Sequence, residues 1–305
     1  MTLWLTESDV SSLLSPADAV PIVEESFRRL AAGDVSNQPR IRLSLDGGAL
    51  ALMGAADRGL GVAGVKTYSA LPGNAAFVVV LFDAETGDCT GVIEANVLGQ
   101  LRTGAASGVA AKHLARAGAT TLGVIGCGFQ AETQVACIRA AVPTIERVIA
   151  YCRTEKNLAA FCKSVGAEPA EMHREAADGC DVVVTATTST DPVLRGEWLR
   201  PGALVCAVGA NHPSRRELDN VVLERATFVC CDSREQAKLE SGDLIEPVES
   251  GVLDWLEVHE LQDVVAGELR GRQSDDDIVV FKSNGIAAWD VALAAVALER
   301  ARARG

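Results

Sequence analysis

Apolar residues first recur at helical spacing. Val20, Val23, Phe27 and Leu30 lie three or four apart, which predicts the buried face of a helix. Ser15-Pro16-Ala17-Asp18 predicts its start: Ser15 can cap, Pro16 suits the first turn, and Asp18 faces the positive end of the dipole. Gly33 predicts its end. From Arg40 to Glu94 the period shortens. The runs IRLSL, ALALMGA, GVAGVKTY, FVVVLFD and CTGVIEA are divided by Gly and Asp. They predict an antiparallel sheet, with DAETGD as one hairpin turn. TGAASGVAAKHLARAG, Thr103 to Gly118, predicts a helix of small residues that can pack closely.

Beyond Gly118 the pattern changes again. TTLGVI, RVIAYC, DVVVTAT, ALVCAVGA and TFVCCD are short apolar runs separated by helical stretches, which predicts a parallel sheet with crossover helices. After IVVFKSNG, a last helix is predicted from Ile286 to Arg302, with Ile286, Trp289, Leu293 and Val296 on one face. Two lobes follow, with boundaries near residues 115–119 and 275–285.

Composition narrows the function. At 305 residues and 48% hydrophobic, the chain suits one large or two ordinary domains with a sizeable core. A net charge of −13 argues against a general binder of nucleic acid or anionic membrane. Nine cysteines lie scattered with no CxxC pair, the usage of reduced thiols in a cytoplasmic protein with no metal site. MTLWLTESDV lacks the basic and apolar regions of a signal peptide, and no apolar run reaches the ~18 residues of a membrane span.

GVIGCGFQAETQ holds Gly126-x-Gly128-x-x-Ala131, with Phe129 and Gln130 inside the turn, between a predicted strand and helix. This is the dinucleotide fingerprint in its structural context. Gly126 permits the tight turn, Gly128 lets backbone approach a pyrophosphate, and Ala131 allows close helix–strand packing. The helix N-terminus offers N–H groups to phosphate. A plain glycine turn is the alternative. The next strand ends in Cys152, Arg153 and Thr154, where an acid would read the 2′-hydroxyl of NAD. Arg153 can hold a 2′-phosphate and stack on adenine, so NADP is expected. NAD is the alternative, with Arg153 solvated and Glu155 turned to the ribose.

Three cations stand out in the first lobe. Arg40 follows Pro39 at a strand start, Lys66 lies within a strand, and Arg102 precedes the small-residue helix, where the dipole favours anions. Each alone reads more simply as a surface cation. Together, two arginines can clamp a carboxylate and a lysine can add charge or donate a proton.

In order, QPRIRL, GVKTYSALPGN, VLFDAETGD, LRTGAASGVAAKHLA, VIGCGFQA, VGANHPSRRELD, SGDL and VVFKSNGIAAWD resemble the ornithine cyclodeaminase/μ-crystallin family, from about Leu5 to Ala297. The resemblance implies an α/β fold: a Rossmann doubly wound parallel sheet plus an α+β substrate-binding and dimerisation domain. It implies a substrate and dimerisation domain over 1–117, completed by 283–305, around a dinucleotide-binding domain over 118–282. A homodimer and a small amino or imino acid substrate are implied with it. The family's substrate groups fall on Arg40, Lys66 and Arg102, with Asn284 at a position often apolar in the family. Its cofactor contacts fall on Arg102, Thr103, Gln130, Thr187, Val208, Gly209, Ala210, Arg215 and Ser283. Arg215 and Arg216 are expected to divide, one towards cofactor phosphate and one solvated. The segment after Pro72 is shorter than in the cyclodeaminases.

True cyclodeaminases carry an aspartate acid/base where this chain has Asn211. An amide cannot accept a proton from an ammonium. Plain hydride transfer to an imine needs less, and Lys66 or water can handle the proton. His212 can take over acid/base work or face solvent. The expectation is an imine reductase. A cyclodeaminase, an alanine-type dehydrogenase and a non-catalytic μ-crystallin-like binder are the alternatives.

Overall fold

The computed structural model describes residues 1–71 and 73–304. Pro72, at the head of the shortened segment, and Gly305, at the end of the completing segment, lie outside the described residues. The chain forms two compact units. One comprises Met1–Arg102 and the residues from Ile286 onward; the other is Thr103–Gly285.

The first unit opens with β1 (Leu3–Leu5), α1 (Glu7–Leu13) and α2 (Pro16–Ala31). The strands β2 (Val35–Leu45), β3 (Gly48–Asp57), β4 (Val62–Leu71), β5 (Asn74–Asp83) and β6 (Cys89–Glu94) follow, then α3 (Asn96–Leu114), of which the residues up to Arg102 belong to this unit. The sheet order is β1-β6-β5-β4-β3-β2. The pairs from β2 to β6 are antiparallel, as the alternating pattern predicts; β1 joins in parallel. Ser15 and Asp18 form a reciprocal cap at the start of α2. Thr6 and Asp9 do the same for α1, which the periodicity did not reveal.

The C-terminal helix (Ala287–Ala303) lies on β3, β4 and α2. Glycine makes this close approach possible. A Cβ at Gly64 would stand 2.9 Å from Val291 Cγ2, and one at Gly91 would stand 2.9 Å from Leu298 Cδ1. Trp289 is fully buried, its ring edge-on to Phe27 at 5.1 Å. The helix is buried around its whole circumference from Ala287 to Ala294, while Val296 is only half-buried. Its small side chains let the sheet and α2 enclose it.

Two expectations need correction. β2 begins at Val35, so Arg40 lies inside the strand rather than at its start. Pairing shifts between Gln38 and Ile41; β2 is an edge strand, where Pro39 removes no needed ladder bond. α3 begins at Asn96, before Thr103, which puts Arg102 inside the helix rather than at its N-terminus. The remote Glu7 carboxylate explains the early start. It accepts the backbone N–H of Asn96 at 2.7 Å and of Val97 at 2.8 Å. No local pattern carries that cap.

The second unit contains β7 (Thr121–Ile125), α4 (Ala131–Ala141), β8 (Arg147–Tyr151), α5 (Glu155–Val165), β9 (Glu168–Pro169) and β10 (Val182–Thr185). Next come β11 (Leu204–Ala207), α6 (Asn220–Arg225), β12 (Phe228–Cys231), α7 (Arg234–Glu240) and α8 (Gly242–Glu249). β13 (Val258–Glu260), α9 (Leu261–Val265) and β14 (Val279–Lys282) complete it. Its strands run in the order β13-β12-β14-β11-β10-β7-β8-β9. Every pairing is parallel. The order reverses between β7 and β10, the point where an open α/β sheet offers a crevice beyond its strand ends. β9 and β13 are too short to show a period. Among the described residues, no helix is long and apolar enough to cross a membrane.

Replacing Glu7 by Ala leaves two α3 N–H groups without their carboxylate. A loss of about 1–2 kcal/mol is expected, read as a lower urea midpoint with an unchanged slope.

Candidate functional site

The strand ends at the reversal point form a cavity of about 380 Å³ in the second unit. It is lined by the turn Ile125–Gly128, the β8 end Tyr151–Thr154, and Ala186–Ser189 after β10. Gly126 has φ 108°, and a Cβ there would stand 2.4 Å from the Ala186 carbonyl oxygen, so the turn requires glycine. A Cβ at Gly128 would meet nothing within 4 Å, which leaves open space against bare backbone. α4 starts without a side-chain cap; the Ala131 N–H is taken by the Gly128 carbonyl at 3.1 Å, and the N–H groups that follow it face the open end suited to phosphate. Ala131 is fully buried, Gln130 half-buried and Phe129 exposed. This cradle fits the pyrophosphate of a dinucleotide. Arg153 and Thr154 stand exposed on its wall. His173 also lines it, its ring 4.2 Å from that of Tyr151; burial, then the Arg153 charge, hold the imidazole below its ordinary pKa.

A buried ionic network braces the neighbouring loops. One Glu217 carboxylate oxygen accepts the Thr187 N–H at 2.7 Å and hydroxyl at 2.8 Å. The other accepts the Thr185 hydroxyl and the N–H groups of Gly209 and Ala210. A Cβ at Gly209 would stand 2.3 Å from Thr187 backbone atoms, so only glycine lets the loops meet. Asp243 accepts the N–H groups of Glu217 and Leu218, and Lys282 pairs with Asp243 at 3.0 Å. Lys282 also donates to the Ala210 carbonyl at 2.6 Å. Burial pushes the Glu217 carboxyl up, against the opposing Lys282 charge. The N–H groups of Gly209 and Ala210, expected to face a cofactor, are therefore committed to Glu217. Val208 likewise gives its N–H to Thr185. Asp232 similarly accepts the Ser283 hydroxyl and the Asn284 N–H. These residues shape loops through internal bonds that the motifs alone did not show.

In the first unit, Arg40, Lys66 and Arg102 come together, all buried. Lys66 lies on β4 facing the sheet's covered side, and the first turn of the C-terminal helix brings Asp290 to it. Lys66 Nζ donates to Asp290 Oδ1 at 2.6 Å, and Arg102 Nε lies 3.3 Å from the same oxygen. A Cβ at Gly99 would stand 3.4 Å from Lys66 Nζ, so α3 leaves the ammonium its space. Burial, then the Arg102 charge, lower the Lys66 pKa to about 8; Asp290 opposes both, and Arg40 adds to the lowering. Lys66 and Arg102 share the Asp290 carboxylate, and the Arg40 charge lies near enough to act on Lys66. Asp290 Oδ2 accepts no hydrogen bond among the described residues. The arrangement can hold an organic carboxylate and offer it a proton.

Asp290 was missed in the sequence, although its setting was a signal. An acid among the apolar residues of IAAWDVALAA needs a partner when buried. Glu217, Asp243 and Lys282 stood inside quoted motifs without a role. Asn211 is half-buried, while His212 is exposed with Nδ1 2.8 Å from the Ser214 hydroxyl. That places His212 on a solvent-facing loop. Arg216 pairs with Glu246 at 2.5 Å and Arg215 is half-buried. Neither arginine is simply solvated. Thr103 is buried in α3 and Asn284 is buried after β14.

The fold, the glycine turn and the strand order define a Rossmann-type dinucleotide-binding protein. The chain belongs to the ornithine cyclodeaminase/mu-crystallin family, whose model matches residues 1–305. It is 39% identical to an alanine dehydrogenase of Archaeoglobus fulgidus, covering 98% of this chain and 95% of that one. It is 37% identical to a Δ1-pyrroline-2-carboxylate reductase of Bacillus cereus, over 83% and 82%. The solved Δ1-pyrroline-2-carboxylate reductase of Thermococcus litoralis, in complex with NADH and L-proline, matches with a TM-score of 0.94 and 32% identity. That match covers 100% of this chain and 98% of that one.

The Lys66 ammonium should titrate near pH 8, below its ordinary value, when followed by NMR of its ε-carbon. Asp290→Asn removes the group that raises this pKa, so the midpoint should move lower. An unchanged midpoint would show that the carboxylate does not hold the charge.

Proposed function

We propose that the protein is an NAD(P)H-dependent reductase of small cyclic imino acids of the Δ1-pyrroline-2-carboxylate or Δ1-piperideine-2-carboxylate type. The observation that carries this reading is the buried set of Arg40, Lys66 and Arg102, with Asp290 paired to Lys66 and Arg102. Arg40 and Arg102 would hold the substrate carboxylate, for which guanidinium geometry is suited. Protonated Lys66 would hydrogen-bond the imine nitrogen or deliver its proton, and Asp290 keeps that ammonium charged and aimed. A bound nicotinamide dinucleotide would supply the hydride that reaches the imine carbon. Gly126, Gly128 and the start of α4 would hold its pyrophosphate. Arg153 and Thr154 in place of an acid at the β8 end support NADP over NAD. Asn211 argues against a cyclodeaminase, because an amide cannot deprotonate the side-chain ammonium.

An amino-acid dehydrogenase is the second reading. The likeness to the archaeal alanine dehydrogenase favours it, and a carboxylate clamp suits an open-chain amino acid equally. Assembly as a homodimer is part of the proposal. Ile41, Leu43 and Leu45 alternate along edge strand β2 with about half of their surface exposed, an apolar row that suits a second copy of the chain.

Mixing protein, NADPH and Δ1-piperideine-2-carboxylate should bleach the nicotinamide absorbance. Turnover of alanine or pyruvate with ammonia, but of no cyclic imine, would establish the second reading. A clear preference for NADH would overturn the NADP assignment. Arg102→Ala should cut kcat/KM by about 10- to 150-fold, the worth of one charge-assisted bond. Because the lowered Lys66 pKa is about 8, the lysine is cationic below that pH and neutral above it. The kcat/KM profile should therefore fall above about pH 8. Sedimentation should give a dimer, and Ile41→Glu with Leu43→Glu should give monomers.

A further inference from the structure

Of the nine cysteines, Cys89, Cys127 and Cys152 are only half-buried, and the other six are buried. Two of the three lie side by side. Cys127 is the middle residue of the Gly126–Gly128 turn, and Cys152 directly follows β8. β7 and β8 are parallel neighbours with Ile125 opposite Tyr151, and the Gly126 N–H donates to the Tyr151 carbonyl at 2.8 Å. The two cysteines therefore leave adjacent strands one residue apart in register. Cys127 lies near enough to Cys152 for its thiol to be perturbed by it, while the Cys152 thiol donates to the Thr154 carbonyl at 3.4 Å, and both residues line the cavity assigned above to the dinucleotide. Neighbouring strands lie ~4.8 Å apart, which suits the ~4.4–6.8 Å Cα span of a disulfide.

We infer that Cys127 and Cys152 form a redox modification site, a dithiol that a hydroperoxide closes to a disulfide, shutting the dinucleotide pocket. Burial first, then the contact with Cys152, hold the Cys127 thiol well above the ordinary range, so Cys152 makes the first attack. Its thiolate attacks the O–O bond of the peroxide: an S–O bond forms, the O–O bond breaks, and hydroxide leaves. The product is a sulfenic acid. The Cys127 sulfur then attacks the Cys152 sulfur. The S–S bond forms, the S–O bond breaks, and the Cys127 proton leaves with the hydroxyl as water. The thiols lose two electrons, and hydrogen peroxide is reduced to two waters. A dithiol reductant reverses the step by exchange. The crosslink ties the glycine turn to the β8 end, removing the freedom with which the turn closes on pyrophosphate. A bound dinucleotide covers both thiols and protects them.

That disulfide closure blocks a cofactor rests on the dinucleotide reading; the closure itself does not. The test uses fully reduced protein treated with hydrogen peroxide. Mass mapping should find a Cys127–Cys152 crosslink with the loss of two hydrogens. NADPH binding, read by fluorescence, should weaken by about tenfold or more and recover with dithiothreitol. NADPH added before peroxide should slow crosslinking. Cys152→Ser should bind NADPH equally well before and after peroxide. Sulfinic acid at Cys152 without the crosslink would overturn the inference, as would a crosslinked protein whose affinity matches that of the reduced form. Should the reduced protein bind neither NADPH nor NADH while the crosslink forms, the dinucleotide reading fails and the modification site stands.

Discussion

A lysine ammonium buried on the covered face of a sheet needs a partner, and the first unit is arranged to supply one. Desolvation of Lys66 would drive its proton off unless a carboxylate stood beside it. Asp290 is that carboxylate, 2.6 Å away and 224 residues on in the chain. To reach it, the C-terminal helix must settle closely on β4, and Gly64 and the alanines of the helix permit this. Arg40 and Arg102 then approach the same buried position, and their charges counter the stabilisation that Asp290 provides. The lysine is left balanced near the physiological range, where it can both bind an anion and release a proton. The closeness of the helix and the chemistry of the cluster are one constraint.

The second unit meets the same difficulty with the same kind of solution. Glu217 is fully buried, and its cost is offset by bonds from Thr185, Thr187, Gly209 and Ala210 and by the Lys282 charge, which the neighbouring Asp243 opposes. The carboxylate draws the loops after β10 and β11 together through their own N–H groups. Removing such a charge leaves its partners buried and unmatched, so loop position and network are lost together. The pocket at the β7, β8 and β10 ends depends on this bracing on one side and on the bare Gly126–Gly128 turn on the other.

Much of the frame was legible because its signals are local. The capped start at Ser15, the short apolar runs of the parallel sheet and the glycine fingerprint each lie within a few residues. Arg40, Lys66 and Arg102 were legible as a set only beside the family resemblance, since a single cation in a sequence carries no sign of burial. What escaped depends on long separations. Glu7 caps α3 from 89 residues away, so the helix start was placed too late and Arg102 was wrongly assigned to its terminus. The commitment of the Gly209 and Ala210 N–H groups to Glu217 was also hidden, because the motif names the residues but not the direction of their bonds.

The sequence by itself determined the class of each lobe and the turn that suits a pyrophosphate, because periodicity and glycine conformation act over short stretches. Tertiary structure alone decided which charges meet. It brought Asp290 to Lys66, Glu217 to the loop amides and Cys127 to Cys152, since the energy of a buried charge or thiol is set by neighbours that the fold brings from elsewhere in the chain.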